Sequence, residues 1–255
     1  MRTSWEPLAD WYDGWVGESG SKHHRHLAIP ALLELLAPQP QEAILDLGAG
    51  QGVLAPSIAK AGASYTGVEA SPKLVELARR RHGDSGRFLC GDVRRLAGLP
   101  GLERASFAGA CFLLSLQDMD PLDEVMAAAA WALAPGGRLV AVMTHPCFRI
   151  PRQSGWGWDE KRKLRYRRID SYLTPLAVPL KPYRTGERQG VSRSFHRPLS
   201  AYVQALSAQG LWIDDLRELP TYQQSRGKPQ SDAENRANAE IPLFLAFRAI
   251  KVTRS

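Results

Sequence analysis

The sequence predicts an α/β fold with a doubly wound, mainly parallel sheet, and three observations lead to that prediction. Short apolar runs alternate with amphipathic helical segments between residues 43 and 145. The first of these runs is followed at once by a glycine-rich turn and a helix. Of the 255 residues, 44% are hydrophobic and 23% are charged, which is typical of a globular protein with a sizeable core. Strands that alternate with single helices pair in parallel, because each right-handed crossover covers one face of the sheet.

The individual elements follow from periodicity and from the residues at their ends. Two helices are predicted before the alternating region, at 5–16 and 26–37. The alternating region predicts five strands, at 43–48, 64–70, 87–92, 107–116 and 138–145. Its helices are predicted at 53–62, 71–83 and 121–137. Ser71 and Pro72 support the second of these helices, because serine is a favoured N-cap and proline a favoured first helical residue.

The alternation breaks after His145 for about fifty residues. A helix at 197–210 and strands at 211–219 and 241–252 are predicted beyond the break. The polar segment 223–240 predicts a loop or a frayed helix.

Charge and cysteine content restrict the class of protein. Cys90, Cys111 and Cys147 are scattered without CxxC spacing, which indicates a reducing compartment and no metal site. The net charge of +7 favours anionic partners, although a moderately basic enzyme carries the same charge. No apolar run is long enough to cross a bilayer, and residues 1–17 lack the apolar stretch of a signal peptide. We therefore expect a soluble cytoplasmic protein without a membrane partner.

The stretch "LDLGAGQG" carries the strongest chemical signal. Gly48, Gly50 and Gly52 lie between the first strand and the next helix, where glycine allows a sharp turn and close approach of a ligand to backbone N–H groups. Glu69 ends the second strand, about twenty residues further on, where a carboxylate can accept hydrogen bonds from ribose hydroxyls. This pattern predicts a cofactor that contains a nucleoside.

The same stretch bears on which nucleoside cofactor is bound. A dinucleotide frame that starts at Gly50 fits the glycines, so the glycines alone leave NAD open. Asp46 precedes them on the strand, where a carboxylate would repel a pyrophosphate and suit a ligand with ammonium and sulfonium charges. Asp92 ends the third strand and can accept from an adenine amine, with the Val93 N–H reaching a ring nitrogen. These acids favour S-adenosylmethionine.

Five motifs together resemble a known family. The chain resembles class I S-adenosylmethionine-dependent methyltransferases of the small-molecule type, also called methyltransferase type 11. The matching motifs lie within 43–145: "ILDLGAGQG", "GVEAS", "GDVRRL", "LLSLQDMD" and "LAPGGRLV". The resemblance implies a Rossmann-like, doubly wound sheet of seven strands whose last strand is antiparallel. Segments 211–219 and 241–252 would supply strands six and seven.

Four segments carry the cofactor contacts that the resemblance implies. The methionine part would be held by the first strand and its glycine loop: Asp46, Gly48, Ala49, Gly50 and Gly52. The ribose and the adenine would be held at the ends of the next two strands: Glu69, Ala70, Asp92 and Val93. The end of strand four and the N-terminal helix would complete the pocket: Leu114, Ser115 and Tyr12.

The acceptor side is predicted from the loops at the carboxyl ends of the strands. Histidine suits proton removal near neutral pH, so His145 at the end of strand five and His196 are the candidate general bases. Asp118, just past strand four, could hold an acceptor amine or hydroxyl. An amide and two aromatic side chains are also expected to contact the acceptor: Gln117, Trp156 and Trp158.

The basic run "KRKLRYRR" at 161–168 has three interpretations. It could bind RNA phosphates, hold an anionic small substrate, or form the solvated face of a strand with Leu164 and Tyr166 directed inward. The expected activity is methyl transfer to an oxygen or nitrogen of a small acceptor. An RNA methyltransferase that uses this run, or a cofactor-binding interaction protein without turnover, are the alternatives.

We expect one domain over 1–255 with four parts. They are a helical cap, a cofactor-binding half, an insert that roofs the active site, and a C-terminal helix with strands six and seven: 1–42, 43–145, 146–196 and 197–255.

Overall fold

A seven-stranded sheet forms the centre of the structure, a computed structural model that describes residues 5–180 and 192–252. In chain order the strands are β1 (Ala43–Leu47), β2 (Ser64–Glu69), β3 (Arg87–Cys90), β4 (Phe107–Leu113), β5 (Leu133–Thr144), β6 (Ser154–Asp159), β7 (Leu164–Ile169), β8 (Leu176–Pro179), β9 (Arg193–His196), β10 (Leu211–Leu219) and β11 (Phe244–Lys251). The central sheet has the order β10-β11-β5-β4-β1-β2-β3. In this sheet, as the structure describes it, only β11 is antiparallel to its neighbours, which confirms the predicted fold class.

Helices cover both faces of this sheet. They are α1 (Ala9–Val16), α2 (Ile29–Leu36), α3 (Ala55–Lys60), α4 (Pro72–His82), α5 (Leu122–Ala132), α6 (Leu199–Ala208) and α7 (Ser231–Glu240). Short 3-10 helices lie at Glu6–Leu8, Gly83–Ser85, Val93–Gly98 and Leu116–Asp118, and a π-helical turn at His24–Ala28 leads into α2. Ser71 caps α4 as predicted, because its Oγ accepts a hydrogen bond from the Leu74 N–H at 3.2 Å.

Two apolar layers separate the helices from the sheet. One layer joins α5 and α6 to the sheet and includes Phe112 and Phe247. The other joins α2, α3 and α4 to the opposite face and includes Leu32 and Ile44. Because both faces are buried, the strand segments are nearly continuous apolar runs, which is the pattern that the sequence shows.

Two element boundaries differ from the prediction. The helix predicted at 121–137 ends at Ala132, and β5 begins at Leu133 because Leu133 already pairs with Phe107 of β4. The register between these strands shifts after Phe107, so the "APGG" turn is absorbed into β5 as an irregularity. The polar segment 223–240, predicted as a loop or a frayed helix, contains the helix α7 in its second half.

The insert after β5 forms two small antiparallel ribbons, β6 with β7 and β8 with β9. Within β7 the predicted orientation of the side chains is wrong. Tyr166 is 43% exposed and lies over Gly157, whereas Arg165 and Arg167 face the Trp156 ring. Alternation along a strand gives two faces but does not say which one is inner. Among the described residues, no helix combines the length and apolarity that spanning a membrane requires.

Candidate active site

A cavity of about 560 Å³ opens where the parallel strands end at their carboxyl edge. Most of the residues predicted to hold the cofactor line it: Tyr12, Gly48, Gly50, Glu69, Ala70, Asp92, Val93, Leu114 and Ser115. Three predicted residues are absent from the lining: Asp46, Ala49 and Gly52. The volume falls in the range of small-molecule sites, about 300–1,000 Å³. The ends of β1, β2, β3 and β4 therefore meet around one space, as parallel pairing requires.

Glu69 is fixed at the base of this cavity. Its Oε2 accepts the Gly50 N–H at 3.1 Å, and its Oε1 accepts the Ser71 N–H at 2.8 Å. Burial raises the pKa of the Glu69 carboxyl, while these N–H groups oppose that shift. Each carboxylate oxygen has a second lone pair, so Glu69 remains able to accept hydrogen bonds from a ligand diol.

The glycine turn makes room for a ligand beside Tyr12. Gly50 has a φ of +55°, and a Cβ on it would lie 3.3 Å from the Tyr12 ring. Tyr12 itself packs against Trp5, with ring centroids 5.0 Å apart, and both rings line the cavity. The N-terminal cap therefore supplies one wall. None of the described residues within 146–196 lines this cavity, so the roof that we expect from the insert stays a prediction.

Asp46 lies beneath the glycine turn and outside the cavity lining. It is 1% exposed, and its Oδ2 accepts a hydrogen bond from the Tyr65 hydroxyl at 2.7 Å. Burial raises the pKa of Asp46 to about 7, although the Tyr65 hydrogen bond opposes the shift. The position that the sequence suggested for the methionine part is thus occupied by a buried pair that joins β1 to β2.

Asp92 lines the cavity but already has a partner. Its Oδ1 accepts from the Arg94 N–H at 3.0 Å and from Arg94 Nε at 2.9 Å, so it caps the 3-10 helix Val93–Gly98. The Arg94 guanidinium holds the pKa of the Asp92 carboxyl below its usual range. A ligand amine would share this carboxylate with Arg94.

The end of β4 forms the opposite wall. Leu114 has a φ of +55°, a left-handed conformation that is uncommon for leucine and is frequent at binding sites. The Ser115 hydroxyl donates to the Leu47 carbonyl at 2.7 Å and so joins the turn after β4 to the end of β1. This connection places both residues opposite Glu69 in the lining.

The chemistry of these walls fits S-adenosylmethionine. Gly48 and Gly50 bring bare backbone to the cavity lining, where a Cβ on either would press against Met119, Ser115 or Tyr12. Carboxylates on the lining, Glu69 and Asp118 among them, suit a diol and a positively charged ligand and disfavour a pyrophosphate. The residues present therefore fit this cofactor better than NAD.

Asp118 also lines the cavity and carries a titratable side chain. We predicted histidines as the candidate general bases and did not include Asp118 among them. It lies in the 3-10 turn after β4 and is half-buried in the cavity wall. Burial raises its pKa to about 8, and a hydrogen bond with the Ser194 side chain opposes that rise. Its position directly after a strand, in "LLSLQDMD", was the available signal.

The two candidate histidines lie elsewhere. Both ring nitrogens of His145 are occupied: Nε2 donates to Glu218 at 2.9 Å, and Nδ1 accepts the Cys147 N–H at 3.2 Å. Burial lowers the pKa of His145, which is only 2% exposed. The His196 Nε2 lies 2.7 Å from the Tyr172 carbonyl, again away from the cavity lining. Neither ring belongs to the lining of this cavity, and the choice of either histidine as a general base stays a prediction.

The predicted acceptor contacts are also outside the cavity lining. Gln117 is 9% exposed and its Nε2 donates to the Leu114 carbonyl. Trp156 is surrounded by arginine side chains, and Trp158 donates to Glu160 within the β6–β7 hairpin. Their spacing in the sequence indicated a loop near the active site, whereas the hairpin turns these side chains away from it.

A His145→Ala variant separates a structural role from a catalytic one. We expect the free energy of unfolding in urea to fall by about 1–3 kcal/mol, because the half-buried Cys147 N–H loses its acceptor. Affinity for S-adenosylmethionine should stay within about twofold, because His145 does not line the cavity. A tenfold change would require the loss of about 1.4 kcal/mol of binding free energy. Glu218→Gln is the control and should cost under about 1 kcal/mol, because the Glu218 side chain is 55% exposed. A folded His145→Ala protein with tenfold weaker cofactor binding would contradict this assignment.

Comparison with known proteins finds similarity to methyltransferases, which the sequence motifs also resemble. Residues 45–141 match a family model described as a methyltransferase domain. A ubiquinone biosynthesis O-methyltransferase of Xanthomonas axonopodis pv. citri is 29% identical over 128 residues, which are 49% of this chain and 54% of the relative. A demethylmenaquinone methyltransferase of Tropheryma whipplei is 31% identical over 121 residues, 46% of this chain and 48% of the relative. The chain thus spans about half the length of the curated relatives it matches.

A solved structure extends the similarity to most of the chain. An S-adenosylmethionine-dependent methyltransferase from Mesorhizobium loti superposes with a TM-score of 0.68 at 26% identity, covering 87% of this chain and 96% of that one. The family model covers the glycine turn and the strands around it. The structural match extends to 87% of the chain. On these grounds residues 45–141 match a methyltransferase domain, the chain has the fold of an S-adenosylmethionine-dependent methyltransferase, and S-adenosylmethionine is its cofactor.

Proposed function

We propose that this protein transfers a methyl group from S-adenosylmethionine to an oxygen or nitrogen of a small-molecule acceptor, with Asp118 accepting the proton of that acceptor. The observation that supports this proposal is the shared cavity, in which Glu69 and the glycine turn form one wall and Asp118 belongs to another. When bound, S-adenosylmethionine supplies an electrophilic methyl group on a sulfonium. The protein then has to orient the acceptor, exclude water and remove one proton.

Asp118 suits the last task because of its surroundings. A carboxyl with a pKa of about 8 is a stronger base, once ionised, than an exposed aspartate. The Ser194 side chain of the insert opposes part of the rise in the pKa of Asp118. The insert would therefore act on the reaction through this carboxyl.

The relatives guide the choice of acceptor. The curated proteins that match are named for ubiquinone biosynthesis and for demethylmenaquinone, and both names point to ring-bearing small molecules. We propose aromatic hydroxyl compounds as the first class of acceptor, with ring amines second.

The RNA alternative has less support. Several cations of the run 161–168 are ion-paired within the protein: Lys163 with Glu160, Arg165 with Glu234, and Arg168 with Asp170. Charges that are already paired release fewer counterions from a phosphate backbone, which weakens the electrostatic part of nucleic-acid binding. A binding protein without turnover would show cofactor affinity and no product in the assay below.

An Asp118→Asn variant tests the proposal through its pH profile. We expect the wild-type rate of S-adenosylhomocysteine formation to rise about tenfold per pH unit up to about pH 8 and then level off, because the base must be ionised. The carboxamide of the variant cannot take a proton, so the rate should fall by about 10²–10⁴ and this limb should disappear. The measurement is product formation between about pH 6 and 9.5 on a phenol and amine panel. An unchanged limb in the variant would remove Asp118 from the mechanism.

Stability gives an independent check on the same group. The folded pKa of Asp118 lies above the value near 4 of an unfolded aspartate, so its stabilising contribution is complete below about pH 4 and is lost as the pH rises through about 8. The melting temperature of the wild type should therefore fall relative to that of Asp118→Asn between about pH 4 and pH 8, and the difference should change no further above about pH 8.

A further inference from the structure

Three arginine side chains surround one tryptophan at the base of the insert. The guanidinium carbons of Arg149, Arg165 and Arg167 lie 5.2, 4.4 and 5.3 Å from the centroid of the Trp156 ring. A single guanidinium on the ring would account for a cation–π contact. Three of them bring like charges together at one point, which needs a separate explanation.

Within the described part of the chain, only one of these charges has an acidic partner. Arg165 pairs with Glu234 of α7 at 3.2 Å. The other two donate to neutral acceptors: Arg149 to the Pro242 and Ile241 carbonyls, and Arg167 to the Phe148 carbonyl and the Ser154 hydroxyl. The cluster therefore carries an excess of positive charge over the acids that the structure brings to it.

The surroundings of the three arginines keep their side chains charged, weakly screened and fixed in position. Burial together with Arg167 and Arg165 lowers the pKa of Arg149 to about 10, which leaves it protonated at neutral pH. All three arginines are half-buried, so solvent ions screen them less than they screen exposed side chains. Hydrogen bonds to backbone carbonyls fix the Arg149 and Arg167 guanidinium groups. Neither side chain has to lose much conformational freedom when it binds a ligand.

We infer that Arg149, Arg165 and Arg167 form a binding site for a phosphate-type oxyanion carried by a small molecule. Planar guanidinium groups bind phosphate oxygens in pairs of N–H···O bonds, and several of them supply the charge that a diphosphate requires. None of the three lines the cavity that holds Glu69 and Asp118, so the site is distinct from the proposed methyl-transfer site.

A nucleic acid is the less suitable source of this phosphate. The Trp156 ring is covered by guanidinium groups and is not free to stack on a base. The exposed cation of the same strand, Arg168, is paired with Asp170 and lies on the opposite face of β7 from Arg167. A small oxyanion needs only the three arginines.

Calorimetric titration of the full chain with inorganic pyrophosphate at low salt tests the site. We expect saturable binding that Arg167→Gln and Arg165→Gln each weaken at least tenfold. Arg167 donates to the hairpin backbone, so Arg167→Gln could disturb the hairpin itself. Arg165 pairs with Glu234 of α7 instead, so Arg165→Gln tests the site without removing a hydrogen bond to the hairpin backbone. Melting temperature and S-adenosylmethionine affinity close to wild type will show that both variants are folded.

Arg168→Gln is the matched control, because it removes the same charge from the same strand. It should change pyrophosphate affinity by less than twofold. Absence of saturable pyrophosphate binding to the wild-type protein, or an equal loss in Arg168→Gln, would overturn the proposal. A single-stranded RNA that binds more tightly than pyrophosphate and depends equally on Arg168 would do so as well, since it would indicate a diffuse basic face instead of a built site.

Discussion

Replacing Glu69 with alanine should weaken S-adenosylmethionine binding about 100-fold. Hydrogen bonds from ligand hydroxyls to a charged carboxylate contribute about 1.5–3 kcal/mol each, so two bonds at the lower limit contribute about 3 kcal/mol, which corresponds to a factor of about 100–200. The substitution also removes the acceptor that holds the Gly50 N–H at 3.1 Å, so the glycine turn loses a constraint. Calorimetric titration at neutral pH measures the change directly.

Glu76→Ala is the control for this change. Glu76 lies on the exposed face of α4, and its removal alters the net charge of the protein by the same amount. We expect its cofactor affinity to stay within twofold of wild type. If Glu69→Ala remains folded and binds as tightly as the wild type, the cofactor does not use this end of β2, and the assignment of the cavity fails.

The second large effect is expected on stability, from Gly52→Ala. Gly52 has a φ of +81°, and a Cβ on it would lie 2.6 Å from the Phe88 ring. The left-handed backbone costs about 1–2 kcal/mol for alanine, and forced overpacking against a rigid buried ring adds about 1–3 kcal/mol. Urea denaturation should show a loss of about 2–5 kcal/mol in the free energy of unfolding.

Gly136→Ala separates these two contributions. Gly136 has a nearly equal φ of +73°, but its Cβ would meet no atom of the described residues within 4 Å. It should therefore cost only the backbone part, about 1–2 kcal/mol. Equal losses for the two variants would show that the contact with Phe88 relaxes, and that Gly52 is required for its backbone conformation alone.

Much of the fold was predictable because its signals are local. The apolar runs of β1 and β4 are buried on both faces, and such runs mark parallel strands without any knowledge of their partners. Ser71 caps α4 through a hydrogen bond three residues away, so its role also follows from the chain. The antiparallel direction of the last strand came only from the resemblance, since pairing partners such as β5 and β11 are about a hundred residues apart.

The candidate site was predictable only in part, for the same reason. Glu69 and the glycine turn follow from their positions at strand ends. Asp46 occupies a comparable position, yet the Tyr65 hydroxyl beside it makes it part of a buried pair. His145 likewise follows a strand, but Glu218 of β10, which is separated from β5 by β11, occupies its ring nitrogen. In each case a residue distant in sequence decides the role.

The sequence by itself determined the fold class, because periodicity and turn chemistry act within a few residues, and its motifs carried the resemblance that pointed to the cofactor. The tertiary structure alone decided which polar groups face the cavity and which are used up by neighbours. Asp118 became the candidate base because burial in the cavity wall raises its pKa. Arg149, Arg165 and Arg167 became one cluster because the hairpin folds them around a single ring. Burial and proximity depend on contacts across the whole chain, and so no local pattern encodes them.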